Sequence, residues 1–173
     1  YETLHNSTTA DQNTAIGYYA MQATTTGEYN VAIGVYALDA NTTGNANVSI
    51  GYRTLSSNTT TSNLVAVGHY ALDVNTTGAH NTALGSNCLQ ANTTGNYNVG
   101  VGASALRVNT TGSRNIAIGS GALDANTTAD SNTSCGFNNL TANTTGANNS
   151  SFGDNALYAN TTASNNTAMG FQA

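Results

Sequence analysis

Eight asparagines spaced 17 residues apart, each followed by two threonines, are the residues best placed to do chemistry. They are Asn41, Asn58, Asn75, Asn92, Asn109, Asn126, Asn143 and Asn160. An Asn-x-Thr triplet is the acceptor for N-linked carbohydrate in a chain that passes through a glycosylating secretory route. Asn and Thr also suit turns, and stacked asparagines satisfy one another along parallel coils. Eight triplets in register are what duplication yields from one, so they do not count as independent observations. Scattered triplets at Asn6, Asn47, Asn132 and Asn139 add slightly. The column is taken as a set of candidate glycosylation sites, with covalent N-glycans as an expected partner.

Groups that would support an enzyme are dispersed. His5, His69 and His80 fall at three different phases of the 17-residue period. Stacked coils bring together only residues of like phase, and no phase combines a nucleophile, a base and an orienting acid. Asp39, Asp73 and Asp124 share a phase, but other residues stand between them on intervening coils. Arg107 and Asp124 fall on adjacent coils, where a cross-coil ion pair is expected. No Gly-Gly-x-Gly-x-Asp run points to calcium, and no Cys/His spacing suits zinc. Cys88 and Cys135 stand three coils apart, about 14 Å at strand spacing, beyond the roughly 7 Å a disulfide spans. The chain reads as a non-enzyme without catalytic residues, cofactor or metal.

One repeat must position these columns. Nine copies of a 17-residue unit run from Asn13 to Asn165 without insertion or deletion, between partial units at 1–12 and 166–173. Counted from Asn30, a clean copy reads NVAIGVYALDANTTGNA. Place 5 is always glycine: Gly17, Gly34, Gly51, Gly68, Gly85, Gly102, Gly119, Gly136, Gly153 and Gly170. Place 9 is Leu or Met in every copy, from Met21 to Leu157. A unit this short buries apolar surface only against its neighbours, so 1–173 reads as a single repeat array. Leu4 already sits in the leucine column and the last unit stops short, so a longer array is expected.

Helical and leucine-rich repeats need longer units, whereas a β-coil fits in 17 residues. The expected fold is all-β, a parallel β-solenoid. Places 1 to 4 form one strand that ends on an apolar residue such as Ile16, Ile33 or Ile50. The glycine of place 5 turns the chain through a positive φ. Places 7 to 11 form a second strand carrying the leucines, and Asn-Thr-Thr-Gly makes the second turn. In this reading the place-4 and place-9 residues make the core. Small residues at places 3 and 8, such as Ala37 and Ala71, then point away as a flat face for packing other chains. So thin a coil buries little per residue, and association is expected to supply the rest. Nine units stacked at about 4.8 Å make a rod about 43 Å long.

Composition excludes several classes. Charged residues make up 6% of the chain and there is no proline, unlike the charge-rich, proline-rich composition of disordered chains. A net charge of -5 with three arginines leaves no basic stripe for nucleic acid. No apolar run approaches the roughly 18 residues of a membrane span, and no signal segment is visible. Thr42 and Thr43 with their equivalents form two ranks at the coil spacing, as on ice-binding β-solenoids. Those faces want threonines two apart on one strand, and adjacent residues point to opposite sides. Tyr1, Tyr18, Tyr19, Tyr36, Tyr52 and Tyr70 follow the glycine turn, either packing it or forming an aromatic strip for sugars or a neighbouring fibre.

The stretches NVAIGVYAL, NVSIGYRTL, NIAIGSGAL and NTAIGYYAM resemble the head repeat of trimeric autotransporter adhesins, the YadA-like head. Similar repeats occur in phage tail-fibre proteins. The resemblance covers nearly the whole chain, and its specific part is the N-x-A-I-G-x-x-A-L stretch. It implies a left-handed parallel β-roll with three chains side by side, outside the cell or virion, used for attachment to a cell-surface or carbohydrate receptor. The Asn-Thr-Thr-Gly insert makes this unit longer than the family's commonest one. No stalk, coiled coil, anchor or chaperone domain lies within 1–173, which leaves the two origins unseparated. The expected function is that of an extracellular structural fibre, the shaft or head of a surface filament or adhesin. It would assemble as a homotrimer or an end-to-end filament, with no nucleic acid and no membrane insertion. A phage tail-fibre segment and an ice-binding solenoid are the alternatives.

Overall fold

The computed structural model describes residues 2–173; Tyr1, read above with the tyrosine cluster, lies outside the described residues. Each coil contributes one three-residue strand, at Thr14–Ile16, Val31–Ile33 and every 17 residues on to Thr167–Met169. All ten pair in parallel in chain order, in one sheet. Like places face one another from coil to coil: Val31 pairs with Val48, Ala32 with Ser49 and Ile33 with Ile50. The fold is a β-solenoid of 17-residue coils.

The second strand expected at places 7 to 11 does not form. In the coil from Asn30, Tyr36, Leu38 and Ala46 have φ of 57°, 53° and 55°, and the same three places are left-handed in the other coils. A left-handed residue breaks the extended chain, so places 6 to 11 fold into a tight bend. Each such residue costs about 1–2 kcal/mol, and the coil-to-coil ladder continues through the bend to offset it. Tyr36 N–H donates to Tyr18 O at 2.9 Å and Leu38 N–H to Thr54 O at 3.0 Å.

The core also differs from the expected one. Leu38, Leu55, Leu72, Leu89, Leu106 and Leu123 are fully buried, but so are Ala32, Ala66 and Ala83 of place 3 and Ala37, Ala71 and Ala105 of place 8. The small columns therefore line the interior, and the place-4 residues lie outside. Ile118 is 43% exposed and Ile16 59% exposed. The physical reason is twofold. A 17-residue coil has a narrow interior in which the place-9 leucine is the main apolar filling, so the places that face it, 3 and 8, hold small residues. The left-handed leucine also breaks strand alternation, so places 8 and 9 both turn inward. One local exchange shows how tight the interior is. Cys88 takes the place of an alanine, and Gly100 of the next coil lacks the Cβ that would collide with its sulfur.

Candidate functional site

Asparagine occupies the interior at two further places. Asn41, Asn58, Asn75, Asn92, Asn109, Asn126 and Asn143 are fully buried. Each amide nitrogen donates to the main-chain carbonyl three residues on, as from Asn109 to Gly112 O at 2.9 Å. From Asn92 onward each also donates to the asparagine of the preceding coil: Asn92 to Asn75, Asn109 to Asn92 and Asn126 to Asn109, all at 2.9 Å. A glycan would attach to this same nitrogen, which here is buried and bonded, to two acceptors in Asn58, Asn92, Asn109, Asn126 and Asn143 and to one in Asn41 and Asn75. The fold uses these seven triplets as a buried amide ladder, the structural reading of the column, and carbohydrate on any of them would have to displace those bonds. Asn160, on the last complete coil, donates to Asn143 and Ala163 and is half-buried.

The asparagines of place 1 form a second column. Asn98 N–H donates to Asn81 Oδ1 at 2.8 Å and Asn115 N–H to Asn98 Oδ1 at 3.0 Å. Their amide nitrogens reach the place-15 carbonyl of the same coil, as from Asn98 to Gly112 at 2.8 Å. That carbonyl thus accepts from Asn98 and Asn109 together, using both lone pairs. Buried polar groups are tolerable only when satisfied in this way. Among the described residues the buried side-chain atoms left without a partner are Thr24 Oγ1, Asp39 Oδ1, Asn58 Oδ1 and Ser151 Oγ.

Of the two threonine ranks, the first is committed to the fold. Thr93 Oγ1 donates to Thr110 O and Thr110 Oγ1 to Thr127 O, both at 3.0 Å. The second rank, Thr43, Thr60, Thr77, Thr94 and Thr111, is exposed. The two ranks are adjacent along the chain and so lack the two-apart pairing that the ice-binding alternative called for.

The strand face outside the leucine core carries Val31 and Ile33, Val48 and Ile50, Val65 and Val67, Val99 and Val101, and Ile116 and Ile118. None of its twenty places 2 and 4 holds an ionisable side chain apart from the thiol of Cys135. Place 4 is apolar throughout, place 2 varies between Val or Ile and Thr or Ser, and the sequence reading missed this face because it put the place-4 residues inside.

The aromatic residues stack chiefly on one another. Tyr19 stacks on Tyr36 with centroids 5.5 Å apart, Tyr52 on His69 at 5.5 Å and His80 on Tyr97 at 4.9 Å. One face of each of these rings is used within the chain, which gives His69 and His80 a packing role, while Tyr52 and Tyr97 stay exposed. The Tyr19 hydroxyl is held above its usual range by hydrogen bonds to Tyr18 and Glu2.

The expected pair between Arg107 and Asp124 forms with two hydrogen bonds, at 2.8 and 3.2 Å, and those bonds together with the Asp124 charge hold Arg107 charged, against a small opposing effect of burial. Ser56 donates to Asp73, which also faces Arg53 at 3.6 Å. Burial raises the Asp39 carboxyl above its ordinary range, with the nearby Arg53 charge pulling the other way. No group of three His, Cys, Asp or Glu side chains that could hold a metal occurs among the described residues. A hollow of about 720 Å³ beside the last coils is lined by Asn138, Asn155, Leu157, Tyr158, Asn160 and Gln172, which offer amides and apolar surface but no acid–base pair. Comparison with protein-family models, curated proteins and solved structures finds no match for the chain.

Proposed function

We propose that this chain is the shaft or head of a fibre outside the cell or virion, a non-enzymatic rod that associates side by side with copies of itself. The observation that carries the reading is the uncharged Val/Ile sheet face. Several of its side chains stay well exposed, Ile118 at 43% and Leu84 at 37%, on a chain whose interior is already filled. A contiguous apolar face of this kind marks an interaction surface. A partner that matches its coil spacing along the whole length must itself repeat at that spacing, and a second copy does so. The place of contact is thus moved from the alanine columns to the valine and isoleucine columns. Three chains side by side is the arrangement the YadA-like resemblance implies. The fibre would hold length and present its variable outer places for attachment, in an adhesin or in a phage tail fibre.

The test is light scattering over a concentration series, with thiol accessibility read in parallel. Cys135 lies on the sheet face between Ile118 and Phe152. The reading requires a mass of two or three times 17.5 kDa, and alkylation of Cys135 that slows as concentration rises. A Val99→Asp/Ile118→Asp variant should return the folded monomer. A chain that stays monomeric with Cys135 equally reactive throughout would remove the reading.

A further inference from the structure

We propose that the junction between coil 47–63 and coil 64–80 is a hinge built into the rod, closed on its sheet side and able to open on its turn side. On the sheet side the ladder is intact: Val48 N–H donates to Leu64 O at 2.8 Å, Gly68 N–H to Ile50 O at 2.8 Å and Leu55 N–H to Ala71 O at 3.2 Å.

On the turn side it is not. One coil later, Thr76 and Thr77 N–H both donate to Thr93 O, at 3.0 and 3.1 Å, and Tyr97 N–H donates to Ala79 O at 3.0 Å. The corresponding donors at this junction, the Thr59, Thr60 and His80 N–H groups, make none of these bonds, although the neighbouring junctions on either side keep all three. The amide ladder stops at the same point. Asn58 donates to Asn41 at 3.2 Å and Asn92 to Asn75 at 2.9 Å, but Asn58 Oδ1 is buried without a partner. A single new bond, Thr61 Oγ1 to Thr76 O at 3.0 Å, replaces the set.

Two residues explain the gap. Thr61 stands at place 15, where the neighbouring coils carry Gly44 and Gly78. The packing around those glycines is tight, since a Cβ on Gly27 would lie 2.5 Å from Gly44 O and one on Gly44 2.5 Å from Asn41 Oδ1, and the other complete coils put nothing larger than alanine at this place, as at Ala129 and Ala163. The β-branched Thr61 therefore holds the next turn off. Leu64 stands where all other complete coils have asparagine, so nothing from place 1 reaches the Gly78 carbonyl, and the 75–78 turn loses a tie to its own strand. Repeat arrays are held by nearest-neighbour interfaces, so a weakened one opens locally while the blocks on either side stay folded.

Hydrogen exchange on the intact chain tests this, resolved to single amides and corrected for intrinsic rates. Thr59 and Thr60 are as exposed as Thr76 and Thr77, and His80 as exposed as Tyr97, so exposure alone predicts equal protection. The hinge predicts exchange at least about tenfold faster at Thr59, Thr60 and His80 than at those three counterparts. Thr61→Gly, alone and with Leu64→Asn, should slow them to within about threefold of the counterparts. Equal protection in the parent chain overturns the proposal. So does a folded Thr61→Gly/Leu64→Asn variant whose Thr59 and Thr60 rates are unchanged.

Discussion

Replacing Asn109 by aspartate changes one nitrogen to oxygen and little else in shape, which isolates what the buried ladder requires. Asn109 Nδ2 donates to Asn92 Oδ1 and to Gly112 O, each at 2.9 Å, and Asn109 Oδ1 accepts from Asn126 at 2.9 Å. An ionised aspartate is acceptor-only, so oxygen would face oxygen at both former donor contacts. Protonated, it has one O–H for two acceptors. Leaving one buried acceptor unmade costs about 1–3 kcal/mol, and this is the cost at low pH. Ionisation adds an unpaired buried charge, which the carboxyl avoids by raising its folded pKa above the unfolded value of about 3.9. The sign follows from proton uptake: the folded state binds its proton more tightly than the unfolded state. Relative stability is therefore greatest below about pH 4 and is lost as pH rises through the folded pKa. A rise of two to three units corresponds to about 3–4 kcal/mol between pH 3.5 and pH 8. Urea unfolding of parent and Asn109→Asp at both pH values, read by far-UV circular dichroism, gives the two differences. A penalty equal at both pH values, or below about 1 kcal/mol at pH 8, would refute the ladder as a structural requirement.

Gly102→Ala should cost about 3 kcal/mol or more in the same assay. Its φ of +131° suits only glycine, and the added Cβ would lie 2.6 Å from the Gly119 carbonyl carbon and oxygen, which are backbone and cannot step aside. Cys88 should resist alkylation at pH 8 until the chain unfolds, because burial pushes its thiol up to about 12; mass spectrometry of the labelled peptides checks this. Arg107→Gln should change stability by less than about 1 kcal/mol, since Arg107 is 43% exposed at its side chain; a larger loss would mean that the pair acts through packing.

The period, the parallel register and the glycine column could be read from the sequence because each is a matter of counting. The inside and outside of the strand could not. Alternation along places 7 to 11 assumes extended chain there, and Tyr36 and Leu38 are left-handed instead. Neither Tyr nor Leu signals that conformation, since the usual markers are glycine and asparagine. The volume available decided the matter: the place-9 leucine is the main apolar filling of a narrow interior, and isoleucine at place 4 sits outside. The buried state of Asn109 and its equivalents was half legible. A ladder was foreseen as one reading of the column, but burial depends on the place-15 carbonyl, which only the folded turn brings within reach of Asn98 and Asn109 together.

The amide ladders also give the rod a direction. Main-chain hydrogen bonds between parallel coils run both ways and largely cancel as dipoles, as in any sheet. The asparagines do not alternate. From Asn75 onward at place 12 Oδ1 faces the coil that follows, from Asn92 onward Nδ2 faces the coil that precedes, and from Asn81 onward at place 1 the Oδ1 again faces forward. Threonine hydroxyls of place 13 oppose them with a smaller dipole. Along the unbroken ladder a cross-section therefore has an oxygen face and a nitrogen face. A coil offered to another in the same orientation meets donor with acceptor, whereas one offered upside down meets like with like. Any growth of this stack by addition of coils or copies is polar for that reason, head to tail, with the two growing faces chemically unequal.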